Sequence, residues 1–210
     1  MRDQAKVFPI RGLINYLLLS EVDIVYVDGA RGGGTNEVVS TLVENMPNSI
    51  LYTPLGHRKS RCVINARGAV VGGDAGLDIG QAHLGVLDFL EQCPVNETVI
   101  IDRSPLSSLV FEPEDPSSRK EVEGFLERIR RSNLRCAFIL ATSADGLFDS
   151  DVRTERTHEQ TLYSNLMKDH LLSTDVPISY FEASRSWKCS TQGWETFVYP
   201  IRMTTRWQYK

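Results

Sequence analysis

The sequence predicts a three-layer α/β/α fold built on a five-stranded, mainly parallel sheet. Two observations carry that expectation. Short apolar runs of strand length alternate with amphipathic helical stretches about five times along the chain. The runs are apolar throughout rather than alternating, as strands covered on both faces must be. In such sheets ligands gather where strand C-termini meet helix N-termini, so the residues after each run matter most.

The elements follow in order. Arg2, Lys6 and Arg11 precede the apolar stretch Leu13–Leu19 in the layout of an export signal. No small-residue cleavage site follows, and Glu21 and Asp23 arrive at once, so the stretch is expected to pack on the core or on a partner. Ile24–Asp28 is the first strand, and Thr35–Asn45 follows with Val38, Val39, Leu42 and Val43 at helical spacing. Ser49–Thr53 is the second strand and Leu77–Leu90 the second helix. Thr98–Asp102 is the third strand. A capping box, Ser118 to Glu121, opens a helix with Val122, Phe125, Leu126 and Ile129 on one face. Cys136–Ala141 is the fourth strand, Asp151–Leu172 a long helix with Leu162, Leu166 and Leu171 inward, and Ile178–Glu182 the fifth strand.

The chain has 210 residues, with 23 basic against 27 acidic side chains and a formal charge of −4. That excludes a basic nucleic-acid coat and an acidic disordered tail, but not a local basic patch. One domain, residues 1–210, is expected. No apolar run approaches the roughly 20 residues of a membrane span. Cys62, Cys93, Cys136 and Cys189 form no CxxC pair, and the four histidines are isolated, so reduced thiols, no structural metal and a cytoplasmic location are expected.

Four features carry chemistry. Asp28-Gly-Ala-Arg-Gly-Gly-Gly-Thr-Asn36 joins a strand to a helix, with Gly29 and Gly34 spaced as the glycines of GxxxxGK[ST]. Gly29, Gly32, Gly33 and Gly34 let backbone N–H groups turn toward a phosphate, and the helix N-terminus adds positive potential. Thr35 stands where that motif has its lysine, and Asn36 where it has its hydroxyl. Asp102 at a strand tip can hold magnesium through water, and the adjacent Arg103 can grip a phosphate. The basic run His57–Arg61 with Arg67 is either a solvated face or an acceptor-phosphate site. Arg153 and Arg156 share a face of the long helix and could close over a transferring phosphoryl group.

Together these pieces resemble the thymidylate kinase family of P-loop nucleotide kinases over about residues 22–185. Asp102-Arg-Ser-Pro-Leu-Ser-Ser-Leu-Val-Phe111 is similar to that family's DR-x-x-x-S-S stretch. Ile24–Leu42 resembles its first strand, P-loop and helix. Gln81-Ala-His83 resembles its acceptor-side helix, Arg153–Tyr163 its lid and last helix, and Ser179–Ser184 its last strand. The resemblance implies a P-loop kinase-like fold using ATP and Mg2+. It places Gly29, Arg31, Gly32, Gly33, Gly34, Thr35 and Asn36 at the nucleotide. Asp102 would lie near magnesium, Arg103 on the acceptor, Arg153 and Arg156 at the lid, and Ser107 or Ser108 at the acceptor side, where Arg58 of the basic run could receive the acceptor's phosphate. A homodimer is a family expectation.

The departures cluster. The family's P-loop lysine is Thr35, its P-loop carboxylate is Arg31, and the Asp-Arg pair before its acceptor-side helix is Ile79-Gly80. A carboxylate suits a free sugar hydroxyl, whereas an arginine suits a phosphate, and a nucleotide within DNA carries a 3′-phosphodiester. The pattern is similar to the viral 5-hydroxymethyluracil DNA kinases, which act on an extruded base. The expected activity is therefore transfer of phosphate from ATP to a thymidine-like pyrimidine deoxynucleotide, free or within DNA. The alternative, supported by Thr35 and Asn36, is a non-catalytic relative that binds nucleotide or a protein partner. Residues 186–210 fall outside the resemblance and interleave aromatics with cations, a composition that packs on the domain or a subunit, or stacks bases.

Overall fold

In a computed structural model of the chain, residues 8–52, 79–92, 96–111, 113–114, 116–143, 150–172, 178–188 and 193–203 are described. The elements are β1 (Phe8–Pro9), α1 (Ile10–Leu19), β2 (Ile24–Gly29), α2 (Thr35–Asn45), β3 (Ser49–Tyr52), α3 (Ile79–Gln92) and β4 (Thr98–Asp102). They continue with α4 (Leu106–Phe111), α5 (Pro116–Arg131), β5 (Cys136–Ser143), α6 (Ser150–Met167), a π-helical turn Lys168–Leu172, β6 (Ile178–Lys188) and β7 (Gly193–Arg202).

The sheet runs β1-β7-β6-β5-β2-β4-β3. The five expected strands form its parallel part, with β2 between β4 and β5. Two further strands extend it: β7 returns antiparallel to β6, and β1 pairs antiparallel with β7. The C-terminal aromatic segment is thus partly a sheet strand, and β6 runs six residues past the expected Glu182 to Lys188.

Every residue of β2 is buried, which follows from its central place. Alternation splits the core in two. Ile24 and Tyr26 join Ile101, Phe138 and Tyr180 beneath Leu87 of α3, Phe125 of α5, Val110 of α4 and Tyr163 of α6. Val25 and Val27 join Ile100, Ile139 and Ala183 beneath Leu13 and Leu17 of α1 and Leu42 of α2. These are the two outer layers of the predicted sandwich.

Two helices differ from expectation at their ends. Pro116 opens α5, a position its fixed φ and missing N–H suit, so Ser118 is buried inside the first turn and is not the cap. Along α6 and the turn after it, Glu159, Tyr163, Met167 and Leu171 form the buried face, whereas Leu162 and Leu166 are only partly covered. Four-residue steps overshoot an α-helical turn of 3.6 residues. The wider π-helical turn after Met167 keeps Leu171 on that face. Cys136 is a buried free thiol, and Cys62, Cys93 and Cys189 lie outside the described residues. No described helix is long and apolar enough to cross a membrane.

His83 of α3 is fully buried against Tyr26, Tyr52 and Phe125, with no partner for either ring nitrogen among the described residues. Burial pushes its pKa down to about 3, so the folded protein holds it neutral. Between that value and the ordinary 6.5 of an unfolded histidine, the unfolded chain binds the extra proton. The stability that His83 leaves intact above pH 6.5 is therefore lost as pH falls, by up to about 1.4 kcal/mol per pH unit. Denaturant melts of wild type and His83→Leu from pH 7.5 to 5 should diverge by this slope; parallel curves would refute a buried neutral imidazole.

Candidate active site at the tips of β2 and β4

Asp28, Gly29 and Arg103 come together because β2 and β4 are parallel neighbours in the register Val27↔Asp102. At Gly29 a Cβ would lie 2.6 Å from the Ala141 carbonyl oxygen of β5, so the chain turns here only with glycine. The Gly33 N–H then donates to the Ala30 carbonyl at 2.8 Å, with Gly32 at φ 71° and Gly34 at φ 92°. Gly34 is the N-cap of α2 and offers no side-chain cap. The positive end of the helix therefore faces the loop without a side chain competing for it. Thr35 is buried, its Oγ1 3.0 Å from where a Gly29 Cβ would stand, so it packs under the loop and brings no charge; Asn36 is exposed.

Beside the loop lies a polar network. Asp28 is fully buried, and its Oδ1 accepts from the Ser104 backbone N–H at 3.0 Å and the Ser107 hydroxyl at 2.8 Å. The Tyr163 hydroxyl donates to Ser107 Oγ at 2.9 Å and accepts from Arg103 Nη1 at 3.1 Å. Arg103 Nη1 also reaches the Gly29 carbonyl at 3.3 Å. Asp28 Oδ2 has no partner among the described residues. Burial pushes the Asp28 pKa up, while the bonds from Ser104 and Ser107 and the charge of Arg103 oppose that rise.

Arg103 sits at φ 77°, the left-handed region, which costs a non-glycine residue roughly 1–2 kcal/mol. Its backbone is pinned there by donation to the Val27 carbonyl at 2.9 Å and by the next residue's bond to Asp28. Its guanidinium carbon lies 5.0 Å from the centre of the Phe111 ring, and that of Arg31 lies 4.9 Å from the same centre. Glu159, almost wholly buried on α6, takes the Arg31 backbone N–H at 3.0 Å and its Nε at 3.4 Å. Two cations thus gather on the α4/α6 side of the glycine loop.

Asp102 is half-buried, and its Oδ1 is buried without a partner among the described residues. Burial pushes its pKa up, Arg103 pulls it down and Asp28 pushes it up further. An orphaned carboxylate oxygen beside a phosphate-type loop fits a hydrated divalent cation. No group of three or more potential ligands occurs among the described residues, so Asp102 would hold such an ion with water and phosphate oxygens.

The structure therefore brings together Gly29, Arg31, Gly32, Gly33, Gly34, Thr35, Asp102, Arg103 and Ser107, with Asn36 at the start of α2. Ser107 and Ser108 are buried, and the Ser107 hydroxyl is already used by Asp28 and Tyr163. Arg153 and Arg156 lie in the opening turns of α6, but their side chains are outside the described residues, as is all of Arg58 and the 57–67 basic segment. Asp28, Phe111, Glu159 and Tyr163 went unrecognised as site residues in the sequence. Glu159 stands 128 residues from Arg31, and Tyr163 stands 56 from Ser107, so no local pattern links them. A lone acid ending an apolar strand was the available signal for Asp28.

No protein-family model matches the chain, and no curated protein matches its sequence. Among solved structures, it is similar to thymidylate kinase from Ehrlichia chaffeensis at 12% identity and a TM-score of 0.42, covering 79% of this chain and 88% of that one. It is likewise similar to thymidylate kinase from Candida albicans at 14% identity and a TM-score of 0.40, covering 81% and 87%. Likenesses this shallow show neither family nor activity. What the site can do follows from its own geometry.

Two consequences are measurable. Arg103→Gly should be more stable than Arg103→Ala by about 1 kcal/mol in urea melts, since only glycine relaxes the left-handed strain. Equal stability would mean that the backbone moves instead. Asp28→Asn keeps the accepting Oδ1 and removes a buried charge, so its thermal midpoint at pH 7.5 should match or exceed wild type. Because the folded-state pKa of Asp28 is raised, the charge penalty exists only above the ordinary carboxylate range. The advantage should vanish below about pH 4, and a midpoint well below wild type at neutral pH would contradict this account.

Proposed function

We propose that the chain transfers the γ-phosphate of ATP to a thymidine-like pyrimidine deoxynucleotide, either a free monophosphate or 5-hydroxymethyluracil within DNA. The observation that carries the reading is the convergence of two guanidinium groups, Arg31 and Arg103, on Phe111 beside a glycine loop whose helix lacks a side-chain cap. Phosphoryl transfer asks mainly for positioning and for positive charge around a spread-out anion. The loop N–H groups and the start of α2 would bind the donor phosphates. Arg103, fixed by Tyr163 and the Gly29 carbonyl, would meet the transferring group or the acceptor phosphate. Arg31, steered by Glu159, would hold the acceptor's phosphate. Asp102 would carry Mg2+, which when bound neutralises charge on the β- and γ-phosphates.

Asp28 acts by position. Its Oδ1 fixes Ser104 and Ser107, and these in turn hold the backbone of Arg103 and the hydroxyl of Tyr163. A second reading, a nucleotide binder without turnover, rests on Thr35, which buries a hydroxyl where the lysine-containing motif places a cation.

Labelled ATP with Mg2+, offered in parallel to deoxynucleoside monophosphates and to DNA containing 5-hydroxymethyluracil, separates these. Label in a diphosphate or in DNA assigns the acceptor, and nucleotide binding without label in either leaves the non-catalytic reading. Arg103→Ala and Asp102→Asn should lower transfer at least about 100-fold with folding intact. Unchanged rates would remove them from the mechanism. If DNA is the acceptor, Arg31→Asp should weaken its binding and reduce the salt slope by about one. An unchanged slope would free Arg31 from that role.

A further inference from the structure

We infer that Glu159 is a specificity-determining residue: its carboxylate, fixed beside Arg31, cancels that arginine's charge, so the Arg31 seat takes a singly charged phosphodiester in preference to a doubly charged monoester. The inference rests on the reading of Arg31 as the group that meets the acceptor's phosphate.

Both oxygens of Glu159 are spent on one residue. Oε2 accepts the Arg31 backbone N–H at 3.0 Å, and Oε1 lies 3.4 Å from the Arg31 Nε. The two partners differ in exposure: the Glu159 side chain is 9% accessible and that of Arg31 63%. The carboxylate is therefore enclosed by the protein, and the arginine is the part that reaches solvent. Nε is the inner end of the guanidinium, so the outer Nη pair is the edge a ligand can meet.

An ion pair with both members in solvent loosens easily and is screened. This one has its acid on the buried face of α6, one turn before Tyr163, and tied to main chain as well as to side chain. Its charge therefore stays at the site whatever binds there. The same helix face sets both arginines, Glu159 holding Arg31 and Tyr163 holding Arg103, but only Glu159 brings a negative charge.

That charge changes what the arginines can hold. Without Glu159, Arg31 and Arg103 would present two cations at the Phe111 ring, an arrangement that suits a doubly charged phosphate. With it, the Arg31 seat keeps its planar fork of donors and loses its excess charge. A phosphate monoester carries close to two charges at neutral pH, and a diester carries one. The fork serves either. At a neutral seat the second charge gains nothing, still costs its desolvation, and lies near a fixed carboxylate that repels it. The acceptor favoured is a nucleotide whose phosphate is esterified on both sides, as within a polynucleotide.

The test is calorimetric binding to the full chain of thymidine 3′- and 5′-monophosphate, each beside its phosphate methyl ester, which carries one charge fewer. Thermal melts confirm that each variant is folded. Wild type should bind each ester within about threefold of its monophosphate, and a monophosphate preferred about tenfold or more overturns the inference without any variant. Glu159→Gln keeps an oxygen for the Arg31 N–H and removes the charge. It should tighten the monophosphate about tenfold and the ester only about threefold, because the gain scales with the ligand's charge. Glu159→Asp keeps the charge and should keep the wild-type ratio. A Glu159→Gln variant that weakens both ligands alike makes Glu159 a support for Arg31 and overturns the inference, as does one that changes neither. In those cases the ligands still bind and the proposed function stands. Wild type that binds none of the four overturns the proposed function and this inference with it.

Discussion

Asp28 is a carboxylate sealed inside the protein at the end of its central strand, and the rest of the site is arranged around keeping it there. Burying an ionised carboxylate costs several kcal/mol unless hydrogen bonds repay most of it. One oxygen is repaid by Ser104 and Ser107. Those bonds fix the start of α4 against the tip of β2, and the fixed turn forces Arg103 into its left-handed conformation. Tyr163 ties the same network to α6. A single desolvated carboxyl group thus couples two strands and two helices at the point where the glycine loop departs.

The cost is local and the stability lies elsewhere. Two apolar clusters, one on each face of the sheet, bury whole strands, and β2 contributes to both. A core of that extent can carry a strained arginine, two half-satisfied carboxylates and a neutral histidine. These groups lie on or near the α4/α6 side of β2 and β4. Surface pairs such as Arg128 with Asp88 and Glu91, which join α5 to α3, add little by comparison.

The site is also asymmetric. Among the described residues, the cations Arg31 and Arg103 sit on the α4/α6 side of the loop, held by Glu159 and by the Phe111 ring, while the α2 side offers backbone N–H groups and a buried threonine. That division suits two ligands meeting across the loop, one anchored by side chains and one by main chain. The open depression lined by Glu21, Asp23, Glu97 and Arg135 belongs to the opposite, N-terminal edge of the strands and takes no part.

The sequence by itself determined the sandwich, the five parallel strands and the glycine loop, because strand and helix periodicities are local and a turn that needs glycine says so in its composition. It also showed Asp102 and Arg103 at a strand tip. It did not reveal Asp28 as the hub, nor Glu159, Tyr163 and Phe111 as the groups that aim the arginines, since those contacts join residues far apart in the chain. The two added strands were hidden for a related reason: Gly193–Arg202 mixes aromatic, acidic and basic residues, as a strand near the border of a sheet can, and only pairing with β6 and β1 gives it a place. Tertiary structure alone decided which of the described cations face the loop and where the C-terminal strand pairs, because strand order and register, not composition, set those neighbours.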